Sequence, residues 1–287
     1  MKTVPVMSPG PIDDVRRADA QARAALGEAV SRTAQLWRDI EEPSAVVPGL
    51  TWSAVETAAH VVGDMREYTA ALTRHVKGQR AVAEVPDGSP VRARTLANGR
   101  HLIDIAEREP RRLADMLEET AANYLATAAS VEAADHRSIV TADGLVLEPA
   151  VMTCLLLGEQ LVHGLDIARA VNRPWTIGRD DALLVIPAVL SIVPKYLRPL
   201  RTKDLSISFE LRMRAGCRYR LAVDNGVGVV TVAGQKADCV ITAEPVAFLL
   251  VGFGRVPQWS QLIRGKILAG GRKPWLAAKF GTLLEGA

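Results

Sequence analysis

Read for hydrophobic periodicity, the chain changes grammar once. Over roughly its first two-thirds apolar residues recur at helical spacing, and after about residue 200 they follow strand-like patterns. From about Ile12 to Ile40, Ala24, Ala25, Val30, Ala34 and Trp37 lie near helical spacing, and Pro43, Pro48 and Gly49 end the segment. Ser53 with Glu56 has the spacing of a capping box and opens a second helix that runs to about Lys77. A loop, AEVPDGSP (Ala83 to Pro90), leads into a long helical stretch from about Val91 to Ala133, interrupted at Pro110. The segment 138–148, SIVTADGLVLE, predicts a short hairpin or loop turning at Asp143-Gly144. A very apolar helix follows, from about Pro149 to Val171. Four long helices in this order predict a four-helix bundle.

The later segments LSISFELRMR, CRYRLAVD, GVVTVA and DCVITAE cluster or alternate β-formers between Ala-Gly and Asn-Gly turns. Helical pieces are expected at about Glu244 to Val251 and Pro274 to Leu284. The expected fold class is therefore α plus α+β. A bundle over residues 10–175 is joined by a linking helix within 176–200 to a small α+β domain with an antiparallel sheet over 201–287. No repeat or low-complexity tract interrupts this plan.

Composition narrows the function without choosing it. The 287 residues are 48% hydrophobic and 23% charged, with a net charge of +3 spread along the chain, so nothing favours a nucleic-acid or membrane-surface role. The longest apolar run, ALLVIPAVLSIV, is too short to span a bilayer, which needs about 20 residues. The first residues, MKTVPVMSPGPIDD, have no apolar core of signal-peptide length. Cys154, Cys217 and Cys239 have neither disulfide-framework nor metal-ligand spacing, and all three read as core or strand residues. A reduced, cytoplasmic setting is the expectation.

The chemistry concentrates in LLLGEQLVHGLDIARAVNR, from Leu155 to Arg173. At about 100° per residue, Glu159, His163 and Asp166 fall within roughly 60° of one another on a helix that otherwise reads as buried. Burying an unpaired carboxylate there costs several kcal/mol. Two readings remain open on spacing alone: a hydrogen-bonded polar pair in a helix interface, or two ligands of a metal ion whose third ligand comes from another helix. His60 shares a face with Glu56, Asp64 and Glu67, which is either solvated or the lining of a wet cleft. His75, His101 and His136 occupy exposed-looking or terminal positions and are given no role.

The pattern Trp52-Ser-Ala-Val-Glu-Thr-Ala-Ala-His60, followed about 100 residues later by Glu159-Gln-Leu-Val-His163-Gly-Leu-Asp-Ile-Ala-Arg-Ala170, resembles the DinB-like metal-binding bundle. More narrowly it resembles the mycothiol-dependent maleylpyruvate isomerase branch. FLLVGFGR (Phe248 to Arg255) with GKILAGG resembles the sterol-carrier-like domain often fused to that bundle. Carried over, the resemblance implies His60, Glu159 and His163 as ligands of a divalent metal, zinc foremost, with mycothiol or a related low-molecular-weight thiol as cosubstrate. Two imidazoles and a carboxylate match the three-protein-ligand arrangement of catalytic zinc, which leaves a position open. A thiol there would ionise and become a nucleophile toward a small electrophile.

Asp166 is a candidate for orienting the site or meeting the thiol, with a salt bridge to Arg169 or Arg173 as the alternative. Arg255 is a candidate for holding a substrate carboxylate bidentately, with a helix-end charge as the alternative. The length of the chain and its full C-terminal domain tilt the expectation toward a thiol S-transferase over a maleylpyruvate cis–trans isomerase. The competing class is a non-enzymatic binder that holds an apolar ligand in the C-terminal domain. The oligomeric state is not readable from the sequence.

Overall fold

The computed structural model describes residues 10–79, 90–131, 135–141 and 144–285. The loop expected at Ala83 to Pro90, apart from Pro90 itself, and the turn residue Asp143 lie outside them. The described chain groups into two compact units: residues 18–181, and a second unit in which α1 (Pro11–Arg17) joins the residues from Ala182 onward.

The first unit is a bundle of α2 (Asp19–Arg38), α3 (Ala54–Val76), α5 (Pro110–Ala129) and α6 (Pro149–Ala170). α2 and α3 each pack against both α5 and α6, closing the ring of four, and α4 (Pro90–Asp104) lies against α3. Local signals explain where these helices begin. The Ser53 hydroxyl accepts the Glu56 amide N–H at 3.3 Å while the Glu56 carboxylate accepts the Ser53 amide at 2.8 Å, so the expected capping box is present. Glu109 caps α5, accepting the amides of Arg111 and Arg112 at 3.1 and 2.7 Å ahead of a helix that starts with Pro110. The interior is filled by Leu26, Trp37, Met65, Tyr68, Leu113, Leu117, Tyr124, Met152 and Leu156, all fully buried. α6 is long and apolar enough to pass for a membrane span, but 78% of its most apolar window is buried within the fold, as suits a core helix. A two-stranded ribbon, β1 (Ile139–Val140) with β2 (Val146–Leu147), precedes it.

The second unit carries α7 (Arg179–Ile192), which begins just before the division and ends in a 3-10 turn, and the short α8 (Pro199–Thr202). Its sheet has the order β5-β4-β3-β6-β7, from β3 (Ser206–Met213), β4 (Arg218–Asp224), β5 (Val227–Val232), β6 (Cys239–Ala243) and β7 (Ile267–Gly270). Neighbours run antiparallel except β3 and β6, whose parallel pairing sets Phe209 beside Cys239. Asn225 and Gly226, with φ of 48° and 83°, form the tight turn between β4 and β5 that the Asn-Gly signal predicts. Phe209, Leu211, Met213, Leu221, Val223 and Ile241 bury the inner face.

After β6 come α9 (Pro245–Gly252), α10 (Gln258–Ile263) and, beyond β7, α11 (Ala277–Phe280). α10 and β7 were not legible as elements: the first is six residues long and the second four, below the length at which periodicity shows.

Candidate functional site

α3 and α6 face each other, and each contributes a polar stripe to their interface. The α3 residues His60, Gly63, Asp64 and Glu67 recur at three- and four-residue steps and so lie along one side of that helix. Their polarity does not mark a solvent face: His60 and Asp64 are each only 1% exposed. Of the two readings of this face, the solvated one is therefore replaced by a buried polar interior, because the stripe is turned toward α6 and α4. From α6, Glu159 and His163 meet it one turn apart.

Glu159 Oε2 lies 3.1 Å from His163 Nε2 and 3.7 Å from His60 Nε2. Ligand atoms of the three side chains all lie within 4.8 Å of one another. Bonds of about 2.0–2.1 Å meeting at a tetrahedral angle set donor atoms roughly 3.4 Å apart, so this donor set has the chemistry and the spacing to hold a divalent ion. The rings of His60 and His163 are 5.1 Å apart and nearly perpendicular, and Trp52, from just ahead of α3, covers His60 at 5.1 Å.

The backs of the two histidines are also engaged. His163 Nδ1 is 3.1 Å from Asp166 Oδ2, and Asp166 is 2% exposed. His60 Nδ1 is 3.2 Å from His101 Nδ1, and His101 Nε2 is 3.0 Å from Glu67 Oε2. His101 comes from α4 and is buried, so the reading of it as an exposed histidine is corrected. Arg94, also on α4, sits 3.0 Å from Asp64 Oδ1 and 3.5 Å from Glu159 Oε1. The Arg94–Asp64 contact is an ion pair in poor hydrogen-bond alignment, for neither Asp64 oxygen has a hydrogen-bond partner.

Electrostatics follow from this packing. Burial pushes His60 down to about 4, despite the nearby Glu159. Burial disfavours charge on His163 too, but its hydrogen bonds to Asp166 and Glu159 prevail and lift it to about 9. Glu159, for which burial favours the protonated form, is held well below the carboxylate range by His163, His60 and Arg94. Burial raises Asp64 to about 7, only partly offset by Arg94.

Arg255 belongs to the second unit. Gly254, at φ 68°, ends α9 in a Schellman arrangement: its N–H donates to Val251 O, and the Arg255 N–H donates to Leu250 O at 2.8 Å. One Arg255 guanidinium N–H returns to the Phe253 carbonyl at 2.6 Å. Cys154 is buried, and burial pushes its thiol up to about 12, which leaves it inert at neutral pH.

Sequence reasoning placed Asp64 and Glu67 on the face of His60, but it missed His101, Arg94 and Gly63 as parts of this neighbourhood. The 60–63–64–67 stripe and a glycine in mid-helix were available signals for α3. Nothing local ties His101 to His60, 41 residues away.

Fold and site together define a class: a four-helix bundle with an inward His/Glu/His donor set from two facing helices, followed in sequence by a small α+β unit. Among solved structures, the fold is shared by the mycothiol-dependent maleylpyruvate isomerase. Its crystal structure aligns with a TM-score of 0.56 at 13% identity, covering 88% of this chain and 92% of that one. A single-histidine variant of the same enzyme aligns at 0.58 and 12% identity with the same coverage. At such identity the likeness is one of fold. No family model and no curated protein matches the sequence.

Proposed function

We propose that this protein is a metal-dependent enzyme that uses mycothiol, or a related low-molecular-weight thiol, as the nucleophile on a small electrophile. The observation that carries the reading is the convergence of His60 Nε2, Glu159 Oε2 and His163 Nε2 within 4.8 Å. It occurs in a fold shared with a mycothiol-dependent isomerase over 88% of the chain. A divalent metal held there, zinc foremost, would supply Lewis acidity that favours the thiolate form of a bound thiol at neutral pH.

The protein's own residues do the rest. Glu159 and the two histidines bring one negative charge to two neutral imidazoles. Asp166 fixes His163 with Nε2 inward, and the Trp52 ring covers His60. Arg255 enters on its chemistry alone, as a candidate partner for a substrate carboxylate, and Arg255→Ala should then raise KM more than it lowers kcat.

The fold neighbours favour cis–trans isomerisation of an unsaturated acid over thiol transfer. In the isomerisation the thiolate adds to the conjugated double bond, the resulting single bond rotates, and the thiolate leaves, so no atom is gained or lost. Transfer would begin with the same addition and keep the carbon–sulfur bond. Chain length does not argue for transfer, since the isomerase and this chain cover each other almost completely.

The deciding experiment combines metal analysis of the purified protein with mass spectrometry of products after incubation with mycothiol and maleylpyruvate or other electrophiles. Metal near one per chain and an isomer of unchanged mass are expected. A stable adduct would mark a transferase. Absence of metal even after zinc supplementation would overturn the enzyme reading and leave the competing one, a sterol-carrier-like binder of an apolar ligand.

A further inference from the structure

We infer that His101 and Glu67 are positioning residues for His60: a hydrogen-bonded chain that ends on a carboxylate and presents His60 Nε2 to the donor set. The inference rests on the proposed metal site and extends it to Glu67, on the same face of α3, and to His101, which no spacing argument reaches.

The tautomers follow from the contacts. His60 turns Nε2 toward Glu159 Oε2, at 3.7 Å, so that nitrogen must carry the lone pair if it is to act as a ligand. Nδ1 then carries the hydrogen, and its neighbour is His101 Nδ1 at 3.2 Å, which must accept. His101 in turn carries its hydrogen on Nε2 and donates it to Glu67 Oε2 at 3.0 Å. One assignment satisfies every nitrogen, with no proton missing and none in excess. His163 shows the same device in one step, donating from Nδ1 directly to Asp166. Both imidazoles of the donor set are thus backed by a carboxylate, which orients the ring and raises the basicity of the inward nitrogen.

The backbone is shaped for this chain. His60 and Glu67 are seven residues apart on α3, so they stand two turns apart on the same side. Between them is Gly63, where an added Cβ would lie 2.5 Å from His101 Cβ and 2.6 Å from Cγ. The imidazole of His101 rests against the α3 backbone at Gly63, and from there its two nitrogens reach both residues.

The three residues Asp64, Glu67 and His101 also bring ligand-type atoms within 4.8 Å of one another. That group does not read as a second metal centre. The Arg94 guanidinium stands 3.0 Å from Asp64 Oδ1, and both His101 nitrogens are already engaged.

The test loads cobalt(II) into the full-length protein and four variants, reading stoichiometry, affinity by chelator competition, and the visible d–d spectrum. His101→Asn places an amide oxygen near the position of Nδ1 and keeps an acceptor for His60. His101→Gln places its amide nearer Nε2 and loses that acceptor, and Glu67→Gln keeps an acceptor for His101 without the charge. Expected are one cobalt per chain in wild type and a loss of affinity of about 10–100-fold in His101→Gln with a shifted spectrum. Smaller losses are expected in His101→Asn and Glu67→Gln, and His163→Ala should load no cobalt. Circular dichroism confirms that each variant is folded, and if His101→Gln is not, the other two still report. Wild-type affinity and spectrum in the His101 variants would overturn the inference while leaving the metal site standing. So would equal losses in Asn and Gln, which mark mere packing, or two cobalt ions per chain. No cobalt in wild type would overturn the metal site itself, and this inference with it.

Discussion

Two polar clusters sit side by side on α3, built from the same kinds of residue, and they differ in what their atoms are free to do. In one, His60, Glu159 and His163 turn their ligand atoms toward a common point, with the backs of both histidines held by His101 and Asp166. In the other, Asp64, Glu67 and His101 also offer three ligand atoms within 4.8 Å, but Arg94 neutralises Asp64 and His101 spends both nitrogens on neighbours. Ligand type and proximity are thus shared by the proposed site and by its support. What separates them is whether the lone pairs are already committed and whether a cation already occupies the neighbourhood.

The largest expected effect breaks the first cluster. His163→Ala removes a proposed ligand and leaves Glu159 with one histidine, so metal affinity should fall by more than about 100-fold, above what loss of a supporting residue costs. Thiol-dependent turnover should disappear with it. Elemental analysis of the dialysed protein checks this, and wild-type metal content would refute the assigned donors.

Next is Gly63→Ala, which strikes the contact on which both clusters depend. In an exposed helix interior the change would stabilise by up to about 1 kcal/mol. Here the new Cβ would lie 2.5 Å from His101 Cβ, and a net destabilisation of about 1–3 kcal/mol by overpacking is expected instead. Urea titration decides the sign, and a more stable variant would mean that α4 moves off α3 at little cost.

The contrast between the clusters also explains what could be read from the sequence. Glu159, His163 and Asp166 lie within two turns of one helix, so spacing alone set them on one face. The bundle helices were legible for the same reason: Ser53 with Glu56 marks the start of α3 in local code, and Pro110 marks the interruption at which α5 begins. His60 became a candidate through the family resemblance, not through periodicity, which left its stripe either solvated or lining a cleft because hydrophobic patterning does not separate buried polar positions from exposed ones. His101 and Arg94 were out of reach, since α4 is weakly patterned and its two site residues act only through tertiary contact with α3. The parallel pairing of β3 with β6 is equally non-local, since two hairpin-like strands separate them in the chain.

A smaller effect links the first cluster to pH. Without metal, the Asp166 and Glu159 contacts hold His163 protonated up to about 9. A histidine whose folded value is raised contributes stability that is complete below its unfolded value of 6.5 and is lost as pH rises through about 9. Metal binding requires the neutral ring, so below that pH it must expel one proton. Affinity should therefore climb about tenfold between pH 7 and 8. Calorimetry at one pH in buffers of different ionisation enthalpy measures the proton released, and no release would place His163 outside the donor set.

The smallest effect is expected where the second cluster alone is touched. Asp64→Asn keeps the shape of a side chain that is 1% exposed and whose oxygens make no hydrogen bond. Burial raises Asp64 to about 7 against the opposing pull of Arg94, with the charges of Glu159, His101 and Glu67 nearby. An acid whose folded value is raised above the unfolded 3.8 is worth most to stability in acid, and that contribution fades as pH climbs toward 7. The asparagine does not titrate, so the stability of the variant relative to wild type should improve as pH rises from 4 to 7. Metal stoichiometry should stay at the wild-type value throughout, with affinity within about twofold, because Asp64 touches neither histidine of the donor set. Parallel urea titrations and metal analyses at pH 5 and 7.5 give both numbers. If Asp64→Asn instead strips the metal, the lone pairs of the second cluster are not committed after all, and the distinction between a site and its support falls on the wrong side of Arg94.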